Sequence, residues 1–330
     1  MARTKKSESI SQKNKHLERN PGMPLELDWI KNVYINKSAI ERRVNTLPSR
    51  RSIKKQWQVA WLLRAISCLD LTTLSSDDTD GNVERLCVKG LNPVRRDILE
   101  GFGVTNLNLT VGAICVYHNM IPKAVSILGD KIPVAAVSTG FPAGQNPFKQ
   151  RIEEITESVK AGAKEIDIVI TRGQVLKGEW DKLYTEVTAY REACGDAHMK
   201  TILGTGELGN LRNVYKASMI CMMAGADFIK TSTGKESVNA TLPVGLTMVR
   251  AIREYYENTG YKVGFKPAGG IKVAKDALVW LSLMKEELGD AWMEPELFRF
   301  GASSLLGDIE RQLEHNLSGS YSASYRHPMS

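Results

Sequence analysis

The chain has 330 residues, 42% hydrophobic and 25% charged, the balance of a globular protein with ample core. No stretch approaches the ~20 apolar residues of a membrane span, and the polar N-terminus is not expected to act as a secretory leader. The net charge of +7 hints at nucleic acid, but residues 1–20 hold six basic and two acidic side chains and so account for most of it.

That basic stretch (Arg3, Lys5, Lys6, Lys13, Lys15, Arg19) has no interleaved aromatic residues, so a solvated tail is expected and specific nucleic-acid binding is not. Residues 1–22 lack periodic apolar positions and read as a disordered tail. Residues 23–56 read as an N-terminal helical extension. Trp29, Ile30, Val33 and Ile40 would dock it, and Arg50, Arg51, Lys54 and Lys55 would face water.

From Trp57 the chain alternates between short β-like runs and helical segments. Eight runs stand out: Ile66–Leu71, Ala113–Tyr117, Pro133–Ser138, Glu165–Ile170, Lys200–Leu203, Phe228–Thr231, Val263–Lys266 and Leu297–Phe300. Amphipathic periodicity predicts helices over Pro147–Ala161, Leu211–Ala224, Val244–Tyr256 and Val273–Leu288. Such alternation calls for a parallel sheet covered by helices. Residues 57–317 have about the length of a (β/α)₈ barrel, with 318–330 left as a C-terminal tail. A doubly wound open sheet is the competitor, and the lack of GxGxxG after the first run favours the barrel.

A weak repeat sharpens the reading. Ala161-Gly162-Ala163 and Ala224-Gly225-Ala226 each precede a run, and each glycine suits a helix end. Asp167 and Lys230 then fall at equivalent places in two β/α units. Ile166, Ile168 and Ile170 form the alternate set that packs under helices, which turns Asp167 toward the barrel axis.

A lysine at a strand end more often reaches for solvent than catalyses. Here, however, Lys230 and Lys266 end adjacent runs, and adjacent strand ends meet at the rim where barrels build active sites. A free lysine titrates near 10.4, so only about one in 2,500 is a neutral nucleophile at pH 7. A neighbouring ammonium and burial both favour the neutral amine, a route to Schiff-base chemistry. Asp167 could then move protons. The alternative is a structural charge network, with Asp167 neutralising two cations.

Gly269-Gly270 follows the seventh run, and Gly301-Ala302-Ser303-Ser304 follows the eighth and opens a helix. Barrels often bind phosphate there, through backbone N–H groups and a helix N-terminus. A plain turn and a plain N-cap are the bland alternatives. The five histidines show no ligand spacing, and the five cysteines are scattered without a CxxC pair. No metal, cofactor, zinc ribbon or disulfide framework is expected, and the cytosol is the simplest compartment.

At these positions the sequence resembles the deoxyribose-phosphate aldolase family in its animal-like form. The likeness lies in Leu69–Leu74 (LDLTTL), Glu165-Ile166-Asp167, Thr205–Leu208 (TGEL), Ala224–Lys235 (AGADFIKTSTGK), Val263–Gly270 (VGFKPAGG) and Phe300–Leu305 (FGASSL). It implies a class I aldolase that reversibly cleaves 2-deoxy-D-ribose 5-phosphate to acetaldehyde and D-glyceraldehyde 3-phosphate. Lys230 would be the Schiff-base lysine, Lys266 its perturbing partner and Asp167 the acid/base carboxylate. Asp70 and Thr72 would lie near the substrate, and Lys235, Gly269, Gly270, Ser303 and Ser304 around the phosphate. Lys272 stands where many members carry arginine, and Ser322–Tyr325 resembles the tyrosine-bearing end of bacterial chains. Two other functions stay open: a Schiff-base barrel lyase of another sugar or keto-acid phosphate, and an idle barrel whose tail recruits RNA or protein. A homo-oligomer is compatible with the sequence.

Overall fold

The computed structural model describes residues 19–50 and 53–327. Eight parallel strands form the sheet: β1 Leu69–Thr72, β2 Ala113–Val116, β3 Val134–Ser138, β4 Glu165–Val169, β5 His198–Ile202, β6 Phe228–Lys230, β7 Gly264–Lys266 and β8 Phe300–Ala302. Their order is β7-β6-β5-β4-β3-β2-β1-β8. The β7–β8 seam is sewn by parallel bridges, Phe265 with Phe298 and Ala268 with Gly301, so the sheet closes into a barrel. The open-sheet alternative is thereby excluded.

The outer helices follow from capping and periodicity. Thr79 and Asn210 accept the backbone N–H groups of Asn82 and Asn213, starting the helices Asp80–Leu91 and Leu211–Met223. The helices Phe148–Lys160 and Leu211–Met223 end alike. Ala163 N–H bonds Ser158 C=O and Gly162 N–H bonds Val159 C=O, and Ala226 and Gly225 do the same with Cys221 and Met222. Both glycines take positive φ, completing a Schellman turn into the next strand. The repeat seen in the sequence is this turn, used twice. Ile166, Ile168 and Ile170 lie in the large apolar layer between strands and helices, as their alternation requires.

Strand boundaries shift by a residue or two at several places, and the starts of two strands shift further. Ile66 belongs to the helix Lys55–Ser67, where Val59, Leu62, Leu63 and Ile66 make one buried face, so β1 starts only at Leu69. Leu297 and Phe298 donate their N–H groups to Glu294 C=O in a turn, and β8 starts only at Phe300. In both places an apolar run continues across a change of backbone geometry, which hydrophobicity alone does not mark.

Ahead of the barrel, Asp28–Lys31 and Lys37–Arg50 are helical, with Ile30, Ile40, Val44 and Leu47 buried. Trp29 and Val33 pack more loosely against the same core, while Arg50, Lys54 and Lys55 are exposed. The disorder expected for residues 1–18 and the exposure of Arg51 lie outside the described residues. Residues 19–22 correct the expected tail. Asn20 is buried, and its amide donates to the carbonyls of Met222 and Ala226 at 2.8 and 2.9 Å. Its Oδ1 accepts from the Tyr255 hydroxyl, and Arg19 pairs with Asp227. The segment is thus pinned to the barrel floor by groups that only the folded barrel brings together. Among the described residues no helix is long and apolar enough to cross a membrane.

Asn20→Ala would strand two buried carbonyls and the Tyr255 hydroxyl. We expect a loss of about 2–4 kcal/mol of stability, read as a lowered denaturant midpoint. The reactivity of Lys230, at the other end of the barrel, should be unchanged in the folded variant.

Candidate active site

Parallel pairing puts Lys230 directly opposite Lys266 and Asp167 directly opposite Lys200. Side chains alternate along a strand, so these residues and Asp70 project into the barrel. There, Lys230 Nζ and Lys266 Nζ each lie 2.8 Å from the same oxygen, Asp167 Oδ2. The two amines are therefore within two hydrogen-bond lengths of each other at one rim, as the sequence predicted. Asp167 and Lys266 are fully buried, and Lys230 is 3% exposed.

Beneath this pair lies a second tier that sequence reasoning missed. Lys200 Nζ sits 3.0 Å from Asp167 Oδ1 and 3.2 Å from Asp70 Oδ2, and also bonds Glu165. Arg299 pairs with Asp70 and, at 2.9 Å, with Glu165. Lys266 also binds Asp70. Asp70, expected near the substrate, is instead buried among Lys200, Lys266 and Arg299, and it does not line the cavity. A period-two signal was present for the missed residues. Glu165 shares a face with Asp167, and Arg299 lies between outward-facing Phe298 and Phe300.

The surroundings divide the protonation states. Burial is the main influence lowering the Lys230 pKa; Asp167 opposes it and Lys266 reinforces it. The neighbouring ammonium acts on Lys230 in the direction expected, but burial is the larger influence. Burial would also lower Lys266, yet Asp167 and Asp70 outweigh it and hold that amine above the ordinary lysine value. Burial would raise Asp167, but Lys200, Lys230 and Lys266 hold it well below the carboxylate range. Asp167 is ionised, Lys266 is charged, and Lys230 is the amine nearest to losing its proton.

A cavity of about 800 Å³ opens above Lys230. Thr72, Lys235, Gly269 and Gly270 form part of its wall, and Ser303 and Ser304 another part. Ser304 precedes the helix Leu305–Ser318 without making a side-chain capping bond, so the plain N-cap reading fails for it. Lys272 lines the same space. So does His327, which was expected to lie in a free tail. It is buried against Glu314 and Ser322, and Arg311 holds the Ser322 carbonyl. Ser322 and His327 thus pack onto the helix Leu305–Ser318, but Tyr325 is 82% exposed and neither it nor Tyr321 lines the cavity. The five cysteines are buried and free, and the described residues contain no cluster suited to a metal.

The pattern of the DeoC/LacD family aldolases matches residues 64–308. The bovine deoxyribose-phosphate aldolase is 58% identical over 312 residues, covering 94% of this chain and 98% of that protein. The human deoxyribose-phosphate aldolase is 56% identical over 314 residues, covering 94% and 99%. In fold, the tetrameric deoxyribose phosphate aldolase structure from Aeropyrum pernix superposes with a TM-score of 0.60 at 20% identity, covering 84% of this chain and 99% of that one. With a matching pattern over most of its length and relatives above half identity, the chain belongs to the DeoC/LacD family of aldolases.

Proposed function

We propose that this aldolase cleaves 2-deoxy-D-ribose 5-phosphate reversibly to acetaldehyde and D-glyceraldehyde 3-phosphate, through an imine on Lys230. One observation carries the reading: of the charged groups clustered in the barrel interior, Lys230 alone lines the cavity, and it shares an Asp167 oxygen with a second amine. The curated bovine and human relatives bear the name of this activity.

In the reaction, neutral Lys230 attacks C1 of the open-chain aldehyde, and loss of water leaves an iminium. The C3 hydroxyl gives up its proton, the C2–C3 bond breaks, and its electron pair flows into the iminium to form an enamine. C3 becomes the aldehyde carbon of glyceraldehyde 3-phosphate. Protonation of the enamine at C2 and hydrolysis release acetaldehyde and restore Lys230. Lys266, a charged donor, and Asp167, an ionised acceptor 2.8 Å away, form the pair that moves these protons. The phosphate would lie toward Gly269, Gly270, Ser303, Ser304 and Lys235, at the start of a 14-residue helix. Thr72, on the same wall, would meet the sugar. Such a reaction belongs to deoxyribonucleoside catabolism, and the free buried cysteines favour the cytosol.

Borohydride reduction in the presence of acetaldehyde should leave an ethyl group on Lys230, located by mass spectrometry of peptides. Lys230→Met should take no label and lose at least ~10³-fold in kcat; a folded variant that kept its cleavage rate would defeat the assignment. Lys235→Met tests the phosphate end. We expect KM for the phosphorylated sugar to rise about tenfold or more, with little change for unphosphorylated 2-deoxyribose.

A further inference from the structure

Seven ionisable groups meet in the barrel interior: the carboxylates Asp70, Glu165 and Asp167, and the cations Lys200, Lys230, Lys266 and Arg299. Four cations face three carboxylates, so with the carboxylates ionised and every basic group protonated the cluster carries one positive charge too many. In a medium that solvates charge poorly, losing one proton brings the cluster to neutrality. Arginine does not release one. Lys200 touches all three carboxylates and Lys266 touches two. Lys230 has a single oxygen, shared with Lys266, and it alone of the seven lines the cavity.

We propose that Lys200 is a positioning residue for the imine chemistry: it holds Asp167 Oδ1 and, as the surplus cation, makes Lys230 the amine that releases its proton. Without Lys200, three cations would balance three carboxylates, and Asp167 would be free to hold Lys230 as an ammonium. Glu165 acts in the opposite sense, because it helps neutralise Lys200 from below.

The other faces of the barrel do not disturb this count. From β2 comes Cys115, whose thiol is raised by burial and stays neutral. From β3 come Ala135 and Val137. At the lower end of β5, His198 is lowered mainly by burial and is neutral near pH 7.

The inference rests on Lys230 being the imine nucleophile, and two substitutions with opposite expected signs test it. In the intact protein, kcat/KM for 2-deoxyribose 5-phosphate is followed against pH, alongside borohydride trapping with acetaldehyde. Lys200→Met removes a cation, so the acid limb should move up by about one pH unit or more. Glu165→Gln removes a carboxylate charge, so the acid limb should move down. A merely structural role would lower activity in both variants without moving the limb. Unmoved limbs, or limbs moving the same way, with Lys230 still labelled, overturn the charge-balance inference alone. No label on Lys230 in the unaltered protein overturns the nucleophile and this inference together. Should Lys200→Met fail to fold, the downward shift in Glu165→Gln decides the matter by itself.

Discussion

Asp167 is the constraint on which the site depends. Its two oxygens are held by three lysines from three successive strands, β5, β6 and β7, at 2.8 to 3.0 Å. At an effective dielectric of about 20, each such contact with a charged lysine is worth roughly 6 kcal/mol of attraction. Desolvation costs several kcal/mol per ion, so the cluster is not a large source of stability. What it provides is geometry and an uneven distribution of protons. One carboxylate cannot satisfy three ammonium groups equally, and the lysine with the fewest other partners is left closest to neutral. The same carboxylate that holds the nucleophile in place therefore also limits how strongly it is held charged.

The interior accommodates this cluster through an asymmetry between the two sides of the barrel. On β2 and β3 the inward residues are Ala113, Cys115, Ala135 and Val137, all small and buried. On β4 to β7, and just ahead of β8, the inward residues include Glu165, Asp167, Lys200, Lys230, Lys266 and Arg299 beside the apolar Val169, Ile202 and Phe228. Long charged side chains cross the space that small residues leave. Gly301 contributes as well: a Cβ there would lie 3.2 Å from Lys266 Cε and 2.8 Å from the Ala268 Cβ. The apolar side also withholds water from Lys230, and burial is the leading influence that lowers that amine. Close packing and amine activation thus have a common origin.

How much of this was legible in the sequence depends on how local each signal is. The barrel, the turns at Gly162 and Gly225, and the inward faces of Asp167, Lys230 and Lys266 follow from periods of two and 3.6 and from helix-end chemistry, all within a few residues. For the lower tier of Lys200, Arg299 and Glu165, a period of two marks the inward faces of Glu165 and Arg299, but no local signal marks which partners they meet. Arg299 meets Glu165 across 134 positions of chain, and that contact exists only once the barrel has closed. Asn20 is a similar case. Its partners are carbonyls more than 200 residues away, so a polar N-terminal stretch read alone looks like solvated tail. At β8, the aromatic run from Phe298 to Phe300 masked the turn that delays the strand, and with it the inward direction of Arg299.

The floor of the barrel and its rim are linked through Asp227. Its Oδ2 accepts from the Met199 N–H of β5 at 2.8 Å, and the same carboxylate takes Arg19 and the Asn20 N–H. Met199 immediately precedes Lys200, and Asp227 lies three residues before Lys230. The clasp that pins the N-terminal segment therefore also fixes the register of the two strands that carry the positioning lysine and the nucleophile. A one-residue slip between them would turn every side chain of one strand to the opposite face. It would separate Lys200 from Asp167 or remove Lys230 from the cavity. The polar contacts at the floor are remote from the reacting atoms, yet they secure the alignment that the charge cluster needs.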